Sequence, residues 1–377
     1  MAQRINPEAF PPGEYIREEL ETRGWTQLDL AAILGRPATV VNEVIAGARS
    51  ITPETAQGLA DAFGTSAQLW MNLESSYQLA KVASRGNTVA RRAKLYEIAP
   101  VREMQRRGWI EESSSIEVLE SQVLRFFEIQ SLDGPIRFQH SARKSTDYES
   151  VTPSQLAWLY RVRKLAMTVP VATRFSTRSF DGVLGKLAPL RPEPEEVRHI
   201  PKLLAQGGIR FLIVEHLPHT KIDGVCFWLD QRSPVVALSL RYDRIDWFWH
   251  TLIHEMAHVK NRDGVDQFAV DTSLVGSDAQ AFEEKPAEEK NADLFAVGFL
   301  VDQAQLEDFI ARVHPLYSKE KIAAFAKRIG VHPGMVVGQL QRRRKISYAH
   351  CREMLVKVRD IITSMALTDG WGHMTSL

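Results

Sequence analysis

The feature that most restricts how this chain can fold is His254-Glu255-Met256-Ala257-His258, which follows the largely apolar run Trp247-Phe248-Trp249-His250-Thr251-Leu252-Ile253. On a helix, residues four apart share a face, so both imidazoles can reach one cation while Glu255 projects toward a cation-bound water. A helix around residues 245 to 261 is therefore expected. The uncharged neighbours Thr251, Leu252, Met256, Ala257 and Val259 suit it.

A hydrolytic zinc site has three protein ligands and an open fourth position, so a third donor is required. A second expected helix, around residues 288 to 301, supplies it in Glu289-Lys290-Asn291-Ala292-Asp293-Leu294-Phe295-Ala296, beginning 31 residues beyond His258. Glu289 and Asp293 are four apart and share a face, so one can bind zinc while the other holds a ligating histidine by its second ring N–H. Glu288 competes with Glu289, because sequence leaves helix phase open by one residue. With Zn2+ in place, the bound water would ionise at a pH near ~7, Glu255 would take its proton, and the cation would polarise a scissile carbonyl. His250, His332 and Tyr348 are candidates for stabilising the resulting oxyanion.

Upstream of this pair lie three runs rich in β-branched and aromatic residues, 209–214, 224–229 and 235–240, with turn residues between them; they read as strands of a small sheet. The first 80 residues are different. Apolar residues recur at helical spacing in short blocks separated by Gly24, Gly35, Gly47, Thr52-Pro53 and Gly64, which predicts about five short helices. Capping chemistry marks several starts: Thr26 three residues before Asp29, Thr52 before Pro53, and Ser66 before Leu69-Trp70-Met71.

At 377 residues, 44% hydrophobic and 25% charged, the chain is neither disordered nor fibrous, and its length suits two or three domains. The formal net charge of +1 gives no whole-chain pull toward nucleic acid or membrane, so such partners have to be argued locally. Cys226 and Cys351 form no metal-knuckle spacing and no disulfide framework, and no stretch is apolar enough for a spanning helix. A reducing cytoplasm and no membrane partner are expected.

Two resemblances follow from these motifs. The stretch from about Ile209 to Leu300, with RYDRIDWFWHTLIHEMAH followed by EKNADLFA, resembles the ImmA/IrrE family of metallopeptidases, and Ile329 to Leu340 looks like that family's C-terminal region. The resemblance implies a zincin-like α+β fold and maps His254, His258 and Glu289 to the metal, Glu255 to acid–base catalysis and Asp293 to supporting a ligand. It also implies cleavage or control of a repressor-type protein. Residues 11 to 80 resemble the HigA-type helix-turn-helix of the XRE group, found in antitoxins and autorepressors. That implies a motif helix over Thr26–Leu34, a turn at Gly35 and a recognition helix over Pro37–Ala46, with Val41 and Ile45 toward the core.

Gln27, Arg36, Thr39, Asn42 and Arg49 are the candidate DNA contacts. Residues 1–82 carry six basic and ten acidic side chains, a net of −4, whereas residues 83–110 carry seven basic against two acidic, a net of +5 that could supply phosphate affinity. The run Arg342-Arg343-Arg344-Lys345 reads as a solvated helix end, and Trp247, Phe248 and Trp249 as core or the wall of a substrate groove.

The expected architecture is an all-α helix-turn-helix domain (1–82), a basic helical connector (83–173), a zincin-like metallopeptidase core (174–310) and a helical C-terminal region (311–377). The expected function is a homodimeric operator-binding regulator with a zinc peptidase acting on itself or a partner protein. The alternative is a HigA-like antitoxin that neutralises a toxin by contact and keeps a non-hydrolytic zinc domain.

Overall fold

The computed structural model describes residues 10–83, 88–133, 151–263, 265, 269–272 and 285–376. It divides into two compact units, Met1–Arg91 and Arg92–Leu377.

Among its described residues the first unit folds as α1 (Pro12–Arg23), α2 (Gln27–Leu34), α3 (Ala38–Ile45), α4 (Pro53–Phe63) and α5 (Ala67–Ala83). Its starts are those the capping residues predict. Thr26 and Asp29 form a reciprocal capping box at α2, Thr52 Oγ1 accepts the Thr55 N–H at 3.3 Å, and Ser66 Oγ accepts the Leu69 N–H at 3.2 Å. α2 stops at Gly35, whose φ of +62° is open to glycine without a Cβ penalty. The core gathers Ile16, Leu30, Val41, Ile45, Leu59 and Trp70. A Cβ on Gly13 would overlap the Ile45 carbonyl, so that glycine lets α1 lie directly on the end of α3.

The second unit is built on a five-stranded sheet in the order β4-β2-β3-β1-β5, with β1 (Arg210–Val214), β2 (Ile222–Trp228), β3 (Pro234–Leu238), β4 (Ala269–Thr272) and β5 (Leu367–Asp369). β1 runs parallel to β3 and β5, while β2 runs antiparallel to β3 and β4. Strand alternation sorts the side chains onto two cores. Leu212, Val214, Val225, Phe227, Val235 and Ala237 face one way, and Phe211, Ile213, Cys226, Trp228, Val236 and Leu238 the other.

The first of these cores is covered by α6 (Thr88–Ile98), α7 (Val101–Arg106), α8 (Ile116–Phe127) and α9 (Pro153–Thr168), through Leu95, Met104, Phe127 and Trp158. The expected connector over 83–173 is thus no separate segment from Arg92 onward: its helices are one layer of the sheet domain. The reason is that β2 and β3 are buried along their whole length on both faces, and a sheet apolar on both faces needs helices on both. The second core is covered by α10 (Thr177–Leu187), α11 (Ile200–Gln206), α12 (Ile245–Asn261), α13 (Ala287–Leu300), α14 (Gln303–Val313), α15 (Lys319–Ile329), α16 (Pro333–Arg342) and α17 (Arg359–Thr363).

The C-terminal region is not wholly helical either, because β5 extends the sheet beside β1. It is held by charge: Arg161 Nε donates to Asp369 Oδ2 at 2.7 Å, Trp109 Nε1 donates to the same oxygen at 2.9 Å, and both members of the ion pair are buried. One residue of the basic stretch is used inside this layer, and two others lie in surface pairs. Arg107 is buried and donates to the carbonyls of Glu215 and His216 at 2.8 Å, Arg106 pairs with Glu103, and Lys94 pairs with Asp133.

One local pattern occurs in both units. Ala31–Gly35–Val41 and Ala326–Gly330–Val336 have the same spacing, and in both the alanine and valine are buried while the glycine has φ near +65° (+62° and +67°). In both, the residue after the glycine donates to the carbonyl of the alanine at 3.0 Å. α15 and α16 are therefore joined by the same turn as α2 and α3. The outcome differs in exposure: α3 keeps Thr39, Asn42 and Glu43 in solvent, whereas α16 buries Gly334 to Val337 and Gln339 to Gln341.

Removing one partner of a buried ion pair leaves the other charge uncompensated, at a cost of about 3–5 kcal/mol, whereas a solvent-exposed pair contributes about 1 kcal/mol or less. Asp369→Ala should accordingly lower urea stability by about 3–5 kcal/mol, and Arg163→Ala, which breaks the more exposed bridge to Glu128, by about 1 kcal/mol or less. Equal effects in the two denaturation curves would contradict the role assigned to Asp369.

Candidate functional site

α12 has buried residues all round from Phe248 to Val259 and lies between the sheet and α13. It carries His254, Glu255 and His258, with relative exposures of 0%, 0% and 1%. α13 approaches α12 with Glu289 and Asp293 on the facing side, as their four-residue spacing predicts. His254 Nε2 and His258 Nε2 are 3.1 Å apart, and the Glu289 carboxylate lies 3.0 Å from the first and 3.5 Å from the second. The candidate ligands His254, His258 and Glu289 therefore converge on one point; Glu288 is exposed.

The opposite ring nitrogens each face a carboxylate. His254 Nδ1 faces Asp293 Oδ1 at 3.1 Å, and His258 Nδ1 faces Asp263 Oδ2 at 2.9 Å. With Nδ1–H donating to its carboxylate, each ring can turn an Nε2 lone pair toward the shared point. Two Nε2 lone pairs at 3.1 Å with a carboxylate beside them would repel, a repulsion that a shared proton or a cation relieves. Two zinc–nitrogen bonds of about 2.0–2.1 Å at a tetrahedral angle place the nitrogens roughly 3.3 Å apart, so the donor set fits a divalent cation in spacing as well as in chemistry. Formal charge agrees. Glu255, Asp263, Glu289 and Asp293 against Lys285 and Arg342 leave a net of −2.

A neighbouring group, His250, His254 and Asp293, also clusters but is already supplied with cations. Lys285 Nζ and Arg342 Nη2 both donate to Asp293 Oδ2, at 2.9 and 2.8 Å. Burial works to raise the Asp293 carboxyl, but the His250 and His254 imidazoles and the Arg342 charge outweigh it and hold Asp293 well below the usual carboxylate range. Burial pushes His250 down to about 4, so its ring is neutral, and its Nε2 accepts from Arg342 Nη1 at 3.0 Å. Asp293 Oδ1 lies 3.4 Å from the same nitrogen.

Glu255 turns from α12 toward β2, where Gly224 lies so close that a Cβ would overlap its carboxylate. Of the oxyanion candidates, His250 belongs to this cluster. His332 caps α16, its Nδ1 accepting the Gly334 N–H at 3.1 Å, and Tyr348 is 49% exposed. Trp249 and Phe248 are core, while Trp247 is half-buried, with the Arg244 guanidinium 3.8 Å from its ring centroid. Three residues of the site, Asp263, Lys285 and Arg342, lie outside the sequence expectation. Asp263 follows His258 by five residues, just past the left-handed C-cap Arg262, a helix-end geometry that brings its side chain back to the ring. Arg342, expected as a solvated helix end, reaches inward instead.

In the first unit, Thr39, Asn42 and Glu43 form the exposed face of α3, Ala46 is exposed at its C-cap, and Gln27 is exposed at the start of α2. Arg36 pairs with Glu54 at 3.0 Å and Arg49 with Glu43 at 2.8 Å, so both arginines meet carboxylates on this surface. No described helix is long and apolar enough to cross a membrane.

Comparison with known proteins concerns this first unit. The helix-turn-helix family signature matches residues 16–70. Virulence-associated protein I of Dichelobacter nodosus is 39% identical over 72 residues, which is 19% of this chain and 67% of that protein. An uncharacterized HTH-type transcriptional regulator of Escherichia coli, YddM, is 29% identical over 70 residues, 19% of this chain and 74% of that protein. Among solved structures, an addiction module antidote protein of the HigA family from Coxiella burnetii is 35% identical, covering 21% of this chain and 87% of the other with a TM-score of 0.20. Through its N-terminal module the chain belongs to the XRE-type helix-turn-helix family.

Crowding at Gly224 gives a direct test of the Glu255 packing. Gly224→Ala should cost about 1–3 kcal/mol by overpacking. Gly182→Ala, inside α10 with open space around it, should stabilise by up to about 1 kcal/mol through helix propensity. Thermal melts of the two variants moving in the same direction would contradict this packing.

Proposed function

We propose that the chain is a DNA-binding regulator whose second unit is a zinc-dependent peptidase of the ImmA/IrrE kind, acting on itself or on a partner protein. The observation that carries the reading is the convergence of the His254 and His258 Nε2 atoms and the Glu289 carboxylate beside the buried Glu255. His254, His258 and Glu289 would hold the zinc ion, which when bound supplies Lewis acidity toward water and the scissile carbonyl. Glu255 takes the proton of the attacking water and returns it to the leaving amine. Asp293 and Asp263 keep each ring in the Nδ1–H tautomer that turns Nε2 inward. The buried environment of α12 keeps bulk water away from Glu255 and strengthens these interactions.

The first unit would bind operator DNA by laying the exposed face of α3 in a major groove, with Thr39 and Asn42 reading base edges. Its fold class and the name of its Escherichia coli relative, a transcriptional regulator, support this. Gln27, Arg36 and Arg49 would contact the backbone, the two arginines exchanging weak surface carboxylate partners for phosphates. Two copies on two half-sites are the usual geometry of such modules.

The peptidase reading is tested by comparing cellular protein N-termini in cells making the wild type or Glu255→Gln. The variant should retain zinc while cleavage falls by about 10²- to 10⁴-fold. If the two produce identical N-termini, the second unit acts by binding only.

For DNA, duplexes selected from a random pool should bind with an affinity that drops steeply as salt rises. Asn42→Ala should cost about 1–3 kcal/mol at one base position. No binding even at low salt would remove the operator role.

A further inference from the structure

Arg342 is the last residue of α16 and reaches two residues of the metal site at once. Nη2 donates to Asp293 Oδ2 at 2.8 Å and Nη1 to His250 Nε2 at 3.0 Å. Asp293 in turn receives His254 Nδ1 on its other oxygen at 3.1 Å, so a chain of hydrogen bonds runs from α16 to an imidazole whose Nε2 faces the cation position. α16 is itself closely fixed on α12. Added Cβ atoms at Gly334 and Gly338 would overlap Ile245 and Asp246, so the two glycines, one helical turn apart, seat the helix against the start of α12. The turn at Gly330, built like the one at Gly35, sets the direction of that helix.

We propose that Arg342 is a positioning residue of the metal site: its guanidinium fork fixes the Asp293 carboxylate and, through it, the orientation of His254. The inference rests on the zinc reading of the preceding section and deepens it. A planar guanidinium satisfies two acceptors at a fixed spacing; Lys285 Nζ and Arg342 Nη2 meet the same Asp293 oxygen, Oδ2, but Arg342 also ties that oxygen to His250 through Nη1. Without the fork, Asp293 can rotate about the lysine contact and the imidazole loses its fixed acceptor.

Charge and positioning make opposite forecasts, which lets one measurement separate them. Removing a cation near a metal site strengthens metal binding if Arg342 acts only through its charge, whereas loss of a ligand's supporting partner weakens metal binding by about 10- to 100-fold. Arg342 has a side-chain exposure of 38%, so its field is partly screened and the loss of position should dominate.

The test is zinc affinity of the full chain, by competition with a chromophoric chelator, for wild type, Arg342→Gln and Arg342→Lys. Cobalt(II) spectra of each provide a second readout, and circular dichroism checks the fold. Arg342→Gln should bind zinc about 10- to 100-fold more weakly with altered cobalt d–d bands. Arg342→Lys should recover part of that loss, since it can meet Asp293 but not Asp293 and His250 together. If Arg342→Gln does not fold, Arg342→Lys carries the test and should still bind more weakly than wild type. Undiminished affinity in the folded variants overturns the inference while leaving the zinc reading intact. A well-folded wild type that binds no zinc overturns both.

Discussion

Two imidazole nitrogens facing each other at 3.1 Å, each ring backed by a carboxylate, are the constraint around which the second unit is arranged. Nε2 lone pairs at that distance beside a third acceptor are relieved by a proton or a cation among them. Satisfying this arrangement takes α12 for the histidines, α13 for Glu289 and Asp293, the residues after α12 for Asp263, and α16 for Arg342. The sheet beneath supplies the rigid floor, and at Gly224 it gives up a side chain so that Glu255 can lie against it.

The two units show one local code serving two ends. An alanine, a glycine in the left-handed region and a valine, at the same spacing, generate a tight helix–turn–helix in both. What differs is the outer face of the second helix. α3 is polar and exposed at Thr39, Asn42 and Glu43, so it is available to a groove. α16 carries Met335, Val336, Val337 and Leu340, so its burial on α12 removes it from any such role and turns its C-terminal arginine toward Asp293 and His250. Helix–turn–helix geometry alone therefore does not specify nucleic-acid binding; the exposed chemistry does.

Much of this was legible in the residues because the signals are local. Capping pairs such as Thr26 with Asp29 and stop glycines such as Gly35 depend on neighbours in sequence, and the four-residue spacings His254–His258 and Glu289–Asp293 have one structural meaning on a helix. The layer formed by α6 to α9 was less legible, since amphipathic helices do not say which surface they cover. The clue was in the strands: 211–214 and 234–238 are apolar at successive positions, the pattern of strands covered on both sides. β5 was hidden because three residues give no periodicity and their pairing depends on Arg161, some 200 positions away. Arg342 was hidden because a basic run at a helix end is usually solvated, and only the seating of α16 turns one member inward.

The central claim is that His254, His258 and Glu289 together hold one divalent cation. X-ray absorption at the zinc edge of the purified chain tests it most directly. The account predicts nitrogen and oxygen scatterers at about 2.0–2.2 Å with the outer-shell pattern of two imidazoles. A sulfur shell at about 2.3 Å, a spectrum without imidazole, or folded protein without zinc would contradict it.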